Sequence, residues 1–201
     1  MMAKNKYHIL LHLIIFVWGF TGILGVLIDL APFHIVWHRV LIAFIALAIG
    51  LLFMKKSVRI DSSKELIKIF GVGILVALHW MTFYKSISLS TASLGILCLS
   101  TTTIHVTWLE PLIMKRKFSL LEFFLGLIVI YGIYFVSSDF DTKHYEALIY
   151  GLFSAFFAAL FSVFNAKLAE DTPSHQITFY ELLIAFVFLT IVLIIQGDFN
   201  A

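Results

Sequence analysis

The chain has 201 residues, of which 61% are hydrophobic and only 13% are charged, and its mean hydropathy is +1.02. A soluble domain carries roughly 25% charged residues, and one of this size could not bury so much apolar surface. The composition therefore excludes a soluble globular protein, and the small net charge of +2 gives no reason to expect a nucleic-acid partner.

Seven apolar stretches follow one another along the chain, separated by short charged or turn-forming segments. Each is a candidate membrane helix, because a hydrocarbon core about 30 Å thick needs about 20 apolar residues. The predicted spans 1 to 7 are His8–Asp29, Pro32–Phe53, Ile69–Ser88, Thr91–Ile113, Ser119–Ser137, Ala147–Ala169 and His175–Gln196. Span 1 is too long for a cleaved signal sequence. We therefore predict an all-α transmembrane bundle of about seven helices, with span 5 the shortest.

Lysine and arginine residues are concentrated on one side of this predicted bundle. That side holds the N-terminus, the connections between spans 2 and 3 and between spans 4 and 5, and Lys167 at the end of span 6. The opposite loops are short or acidic, as in Ser138–Glu146 with Asp139 and Asp141. Because positively charged loops stay in the cytoplasm, we predict a cytoplasmic N-terminus.

An internal repeat relates the two ends of the chain. The segment Arg39–Leu47 in span 2 reads RVLIAFIAL, and Glu181–Leu189 in span 7 reads ELLIAFVFL, at an offset of 142 residues. The offset covers five spans, an odd number, so the second copy enters the membrane from the opposite face. Inverted repeats are typical of secondary transporters, whose substrate site lies near the midplane. We predict a first five-helix repeat at 1–138 and the first two helices of a second repeat at 139–201, as in a ten-helix protein truncated after its seventh helix.

Several short motifs resemble the EamA family of the drug/metabolite transporter superfamily. They are Trp18-Gly19, Arg39, Phe83–Ile87, Ser90–Ser93, Glu110-Pro111 and the basic cluster Lys115–Lys117. The resemblance covers the first five-helix domain and the opening of the second. It implies a permease of the inner (plasma) membrane that moves amino acids or other small metabolites, commonly outward, by alternating access.

Charged residues within the spans are the first candidates for function, because they are costly in lipid. Arg39 lies about 10 Å below the outer end of span 2, given the rise of a helix. Its guanidinium suits a substrate carboxylate, although bonds to helix-end carbonyls or to a carboxylate of the fold are the alternative. Glu181 takes the equivalent place in span 7, where it would either bind and release a proton or pair with a basic side chain. Glu110 is either a coupling or gating residue or an interfacial partner of Lys115 or Arg116.

Polar and aromatic residues on helix faces are the second group of candidates. Helical spacing aligns Cys98, Thr101, His105 and Trp108 on span 4 and aligns His79 with other polar residues on span 3. The predicted substrate-binding or pathway residues are Trp18, Arg39, His79, Trp80, Thr101, His105 and Trp108. Small hydroxyl residues also serve helix packing in lipid, so packing is the alternative interpretation of these faces.

Other functional classes find less support in the sequence. His34 and His38 stand four apart without a third ligand, and no phosphate-binding loop motif is present, so we predict no metal, no cofactor and no ATP-driven pump. Polar residues are scattered over spans 2, 3, 4 and 7, whereas an enzyme would need a clustered acid, base and nucleophile. We therefore predict a permease with a small-molecule metabolite and the lipid bilayer as partners, and a homodimer is compatible with it. A non-transporting membrane subunit or scaffold is the main alternative.

Overall fold

The computed structural model describes residues 2–137 and 144–197, which form eight α-helices and no β-strand. The helices are α1 (Met2–Leu27), α2 (Pro32–Phe53), α3 (Ser63–Leu89), α4 (Ala92–Leu99), α5 (Thr102–Met114), α6 (Leu120–Ser137), α7 (Tyr145–Leu168) and α8 (Ser174–Gln196). Within these described residues, six stretches are long and apolar enough to cross a membrane, with α4 and α5 together counting as one and α6 falling short. Large apolar side chains are exposed on the outside of the bundle, as on α1 and α6. The predicted all-α multi-spanning bundle is confirmed.

Three predicted spans differ from the helices of the structure. α1 begins at Met2, six residues before the predicted start at His8. α3 begins at Ser63, six residues before the predicted start, because the Ser62 hydroxyl caps the helix by accepting a hydrogen bond from the Glu65 backbone N–H. Span 4 is divided into α4 and α5 at Ser100 and Thr101. The Ser100 and Thr101 hydroxyls donate to backbone carbonyls one turn back, at 2.6 and 2.7 Å, a kind of bond that often bends helices.

The centre of the bundle is the long contact between α3 and α7. The buried face of α7 consists mainly of small residues, namely Ala147, Gly151, Ser154, Ala155, Ala158 and Ala159. Small residues allow helix backbones to approach closely in lipid. The Ser86 hydroxyl donates to the Ala147 carbonyl at 2.7 Å, and a Cβ at Gly151 would lie 2.7 Å from the Cys98 side chain. α7 is therefore held close to both α3 and α4.

The pair α2 and α8 has two equivalent aromatic contacts. Trp37 packs on Phe186 with ring centroids 5.5 Å apart, and Phe44 packs on Phe179 at 5.2 Å. At the 142-residue offset, positions 37 and 44 correspond to 179 and 186, so each contact maps onto the other. α1 and α7 occupy corresponding ranges at the same offset. This local symmetry is what two helix pairs of inverted orientation, α1–α2 and α7–α8, would show. The division of the chain at residue 138 into two repeats stays a prediction.

Contacts between distant segments place two connections on the same side of the bundle. The Ser57 carbonyl accepts hydrogen bonds from His175 Nε2 at 3.1 Å and from Gln176 Nε2 at 3.2 Å. The connection between α2 and α3 therefore lies beside the start of α8, as the predicted topology requires. The acidic loop predicted for the other side falls largely on residues 138–143, which lie outside the described residues.

Candidate functional site

A cavity of about 520 Å³ lies where α1, α2, α3, α4, α7 and α8 converge. We call it the central cavity. Its walls are mainly apolar and aromatic, with a few polar side chains directed at the same space; the polar ones are Thr21, Arg39, His79, Tyr84, Thr178 and Glu181. An apolar pocket with a small number of convergent polar groups is the usual form of a small-molecule site.

Arg39 projects from α2 into the central cavity and is half-buried. Its Nη1 donates to the Tyr84 hydroxyl at 2.7 Å and its Nη2 to Thr21 Oγ1 at 3.4 Å. The guanidinium carbon lies 5.4 Å from the centre of the Trp80 ring, within cation–π distance. Among the described residues, neither a carboxylate nor a helix-end carbonyl bonds to Arg39. A guanidinium has further N–H donors, so it can bind another anionic group while keeping these partners.

Glu181 on α8 lines the same cavity and is only 6% exposed. Asn165 on α7 lies beside the carboxyl group, and the oxygen Oε1 has no partner among the described residues. No basic side chain in the described part of the chain pairs with Glu181. A buried polar atom without a partner is costly, which makes this oxygen a site for a proton or for a ligand donor.

His79 lines the cavity and connects α3 to α7 through hydrogen bonds. Its Nδ1 lies 3.0 Å from the Ser154 carbonyl oxygen, and the Ser154 hydroxyl donates to the His79 carbonyl at 3.2 Å. Because a carbonyl only accepts, Nδ1 carries the proton and donates, and Nε2 of the neutral ring is then the acceptor. The ring packs between Phe83 and Phe161 at centroid distances of 6.1 and 5.4 Å.

Four predicted site residues lie outside the central cavity. Thr101 and His105 line a different groove of about 740 Å³ between α5, α6 and α7, which we call the lateral groove and whose lining is largely apolar. Trp108 stacks on Phe156 of α7, and 39% of its surface is exposed. Glu110 forms an ion pair with Arg116, the interfacial pairing that the sequence allowed. The structure thus brings together Trp18, Arg39, His79, Trp80 and Glu181.

Sequence reasoning did not select several residues of the cavity, nor Asn165, which does not line the cavity but lies beside Glu181. Tyr84 lies in one of the motifs that carry the family resemblance, and Asn165 is an uncharged polar residue inside an apolar span. Both signals were available in the sequence. Phe161 and Leu182 could not have been found, because nothing distinguishes them from the other apolar residues of α7 and α8.

These features define a class of protein, a multi-pass α-helical membrane protein whose helices enclose a partly polar cavity. The sequence profile of the EamA-like transporter family matches residues 5–138, about two thirds of the chain, and the chain belongs to this family. It is therefore a membrane transporter of the drug/metabolite type, which confirms the resemblance. No curated protein and no solved structure matches the chain significantly. The predicted truncation after a seventh helix stays a prediction.

Proposed function

We propose that this transporter moves a small metabolite with a carboxylate group, such as an amino acid, out of the cytoplasm by alternating access through the central cavity. The observation that carries the proposal is the presence of Arg39 and Glu181 in one cavity, where neither is paired with an opposite charge among the described residues. Ionisable side chains are retained within membrane spans mainly where they serve a pathway or a ligand.

Arg39 is the proposed anchor for the substrate carboxylate. The Tyr84 hydroxyl, which accepts from Nη1, also donates to the Thr21 carbonyl at 3.5 Å, so the guanidinium is held by a short chain of hydrogen bonds. A planar guanidinium group fixed in this way can bind a carboxylate through two parallel hydrogen bonds. The rings of Trp80 and Phe83 leave an apolar surface beside it for the rest of the substrate.

Glu181 is the proposed coupling residue. Its carboxyl group is buried and has no counter-ion in the part of the chain that the structure describes, so changes in the access of water to the cavity would change its proton binding directly. In this proposal Glu181 binds a proton when the cavity opens to one side and releases it when the cavity opens to the other. The proton gradient then drives transport of the substrate that is bound at Arg39.

Alternating access is supported by the local symmetry of α1–α2 and α7–α8. Inverted pairs of this kind allow one arrangement of helices to open inward and the equivalent arrangement to open outward around a fixed site. Arg39 and Glu181 occupy equivalent positions in the two pairs and line the same cavity. The proposed location is the inner (plasma) membrane with a cytoplasmic N-terminus, so a cysteine at Ser57 should be labelled from the cytoplasmic face alone.

Flux measurements on the purified chain in proteoliposomes test this function. A panel of metabolites is offered with and without a proton gradient, to wild type, to Arg39→Gln and to the matched control Arg59→Gln. Arg59 is a loop residue paired with Asp61 and exposed to solvent, so its replacement should leave flux unchanged. We expect gradient-dependent flux of a carboxylate compound that only Arg39→Gln abolishes. Correctly folded chain that moves no solute in any condition would instead support a non-transporting membrane subunit.

A further inference from the structure

A groove separate from the central cavity lies where the ends of α3, α5 and α7 meet. It has a volume of about 550 Å³ and shares no lining residue with the central cavity. Along α3 it extends from Glu65 to Leu75, a depth of about 15 Å at the rise of an α-helix. That depth is about half of a 30 Å hydrocarbon core, or one lipid leaflet. We call it the leaflet groove.

The rim of the leaflet groove is charged and its deeper walls are apolar. Two rim groups already have partners within the fold, since the Glu65 carboxylate accepts a hydrogen bond from the Thr172 hydroxyl at 3.0 Å and Lys167 forms an ion pair with Glu170. Lys68 and Asp171 also line the groove, and neither side chain has a partner among the described residues. The groove therefore has one available cation and one available carboxylate at the same rim.

The deeper part of the groove has room for a hydrocarbon chain. Gly71, Leu75, Ile113 and Phe164 form its walls. A Cβ added at Gly71 would meet no heavy atom within 4 Å, so the groove is open at this point and a side chain placed there would enter it.

We propose that the leaflet groove binds a phospholipid whose headgroup carries both a phosphate and a primary ammonium. The phosphate lies at Lys68, the ammonium donates to Asp171, and an acyl chain runs along Gly71. A purely anionic headgroup could bind Lys68 but would leave the carboxylates of Asp171 and Glu65 without a cationic partner. A quaternary ammonium has no N–H to donate to a carboxylate. Charge complementarity thus selects phosphatidylethanolamine over phosphatidylglycerol and phosphatidylcholine.

Native mass spectrometry of the purified full chain, titrated with each of these three lipids, tests the proposal. Wild type should bind phosphatidylethanolamine most tightly. Gly71→Phe should weaken binding about tenfold, the loss expected when roughly two methylene groups can no longer be buried. Lys68→Gln and Asp171→Asn should each weaken it about threefold, as for a solvent-exposed charge pair.

Matched controls separate the groove from general effects of charge and bulk. Lys64→Gln removes the same charge from the same helix outside the groove, and Gly50→Phe adds the same bulk on α2, where a Cβ also meets open space. Both should bind like wild type. Equal affinity for the three lipids, or binding unaffected by Gly71→Phe, overturns the proposal. If Gly71→Phe does not fold, unchanged affinity in both Lys68→Gln and Asp171→Asn overturns it instead.

Discussion

The central cavity and the lateral groove are both lined by polar residues placed at helical spacing, yet only one resembles a substrate site. In the lateral groove, the Thr101 hydroxyl is satisfied by the carbonyl of Cys98 within the same span, and His105 packs on the Phe156 ring. In the central cavity, Arg39 retains unused donors and Glu181 has an oxygen without a partner. The difference teaches that polar spacing identifies a helix face, whereas unsatisfied polar groups identify a site.

Removing the Arg39 guanidinium should produce the largest effect of the substitutions considered. A small effect would remove the distinction between the central cavity and the lateral groove. We expect Arg39→Ala to weaken substrate binding about 30-fold or more, the usual result of truncating one partner of a desolvated charge pair. Membrane insertion should be intact, because the contacts that Arg39 makes are two hydrogen bonds to hydroxyl groups and cation–π contacts with the Trp80 and Tyr84 rings. Isothermal titration of the purified variant measures the affinity. Unchanged affinity would remove Arg39 from the site.

The second prediction concerns the opposite charge in the same cavity. Glu181→Gln keeps the shape of the side chain and one acceptor oxygen, but its amide cannot bind or release a proton. We expect gradient-driven accumulation to fall to the level seen without a gradient, while exchange of substrate across proteoliposomes continues. Aspartate at the same position serves as the control that keeps the titratable group. Full accumulation by Glu181→Gln would mean that a residue other than Glu181 couples proton binding to transport.

The third prediction concerns α7, which contributes to both regions. A side chain at Gly151 would meet Cys98 at 2.7 Å and the Ser86 hydroxyl at 3.0 Å. Gly151→Leu should therefore destabilise the bundle by about 1–3 kcal/mol, the usual cost of overpacking a close contact. Thermal unfolding in detergent measures the loss, with Gly132→Leu on α6 as control because a Cβ there meets nothing within 4 Å. Equal unfolding temperatures for the two variants would contradict the close packing of α4 on α7.

The smallest effect is expected in the lateral groove. His105→Ala and Trp108→Phe should change flux by no more than about twofold, since substitutions away from a site and a packed core usually have small effects. The same proteoliposome assay measures both variants beside Arg39→Ala. A loss as large as that of Arg39→Ala would move the proposed pathway from the central cavity to the lateral groove.

Much of the fold could be predicted because lipid imposes a simple rule on helix length. α2 runs over the predicted Pro32–Phe53, since a proline suits the first turn and a basic loop follows the last apolar residue. The start of α3 was missed because hydropathy reports burial in lipid, and Ser63 to Lys68 form helix outside the most apolar part. The division of span 4 was missed because hydroxyl side chains bend a helix without lowering its hydropathy much.

The candidate site could be predicted in part, and the reason lies in what each signal reports. A charge in an apolar span is costly wherever it points, so Arg39 and Glu181 were identified from the sequence and share one cavity in the structure. Helical spacing shows which residues share a face but not which helix that face meets. For this reason Thr101 and His105 were placed with Arg39 by the sequence and lie in the lateral groove in the structure.

Tryptophan fluorescence can test the central claim, because Trp18 and Trp80 line the central cavity while Trp108 lies outside it. Trp80 lies against the Arg39 guanidinium, and Trp108 stacks on Phe156 beside the lateral groove. A transported carboxylate metabolite is titrated into a Trp18→Phe chain, and into the same chain with Trp80→Phe or Trp108→Phe added, while emission is recorded and affinity is checked by calorimetry. The account predicts a saturable emission change that disappears in Trp80→Phe and persists in Trp108→Phe. Persistence in Trp80→Phe with loss in Trp108→Phe would contradict it.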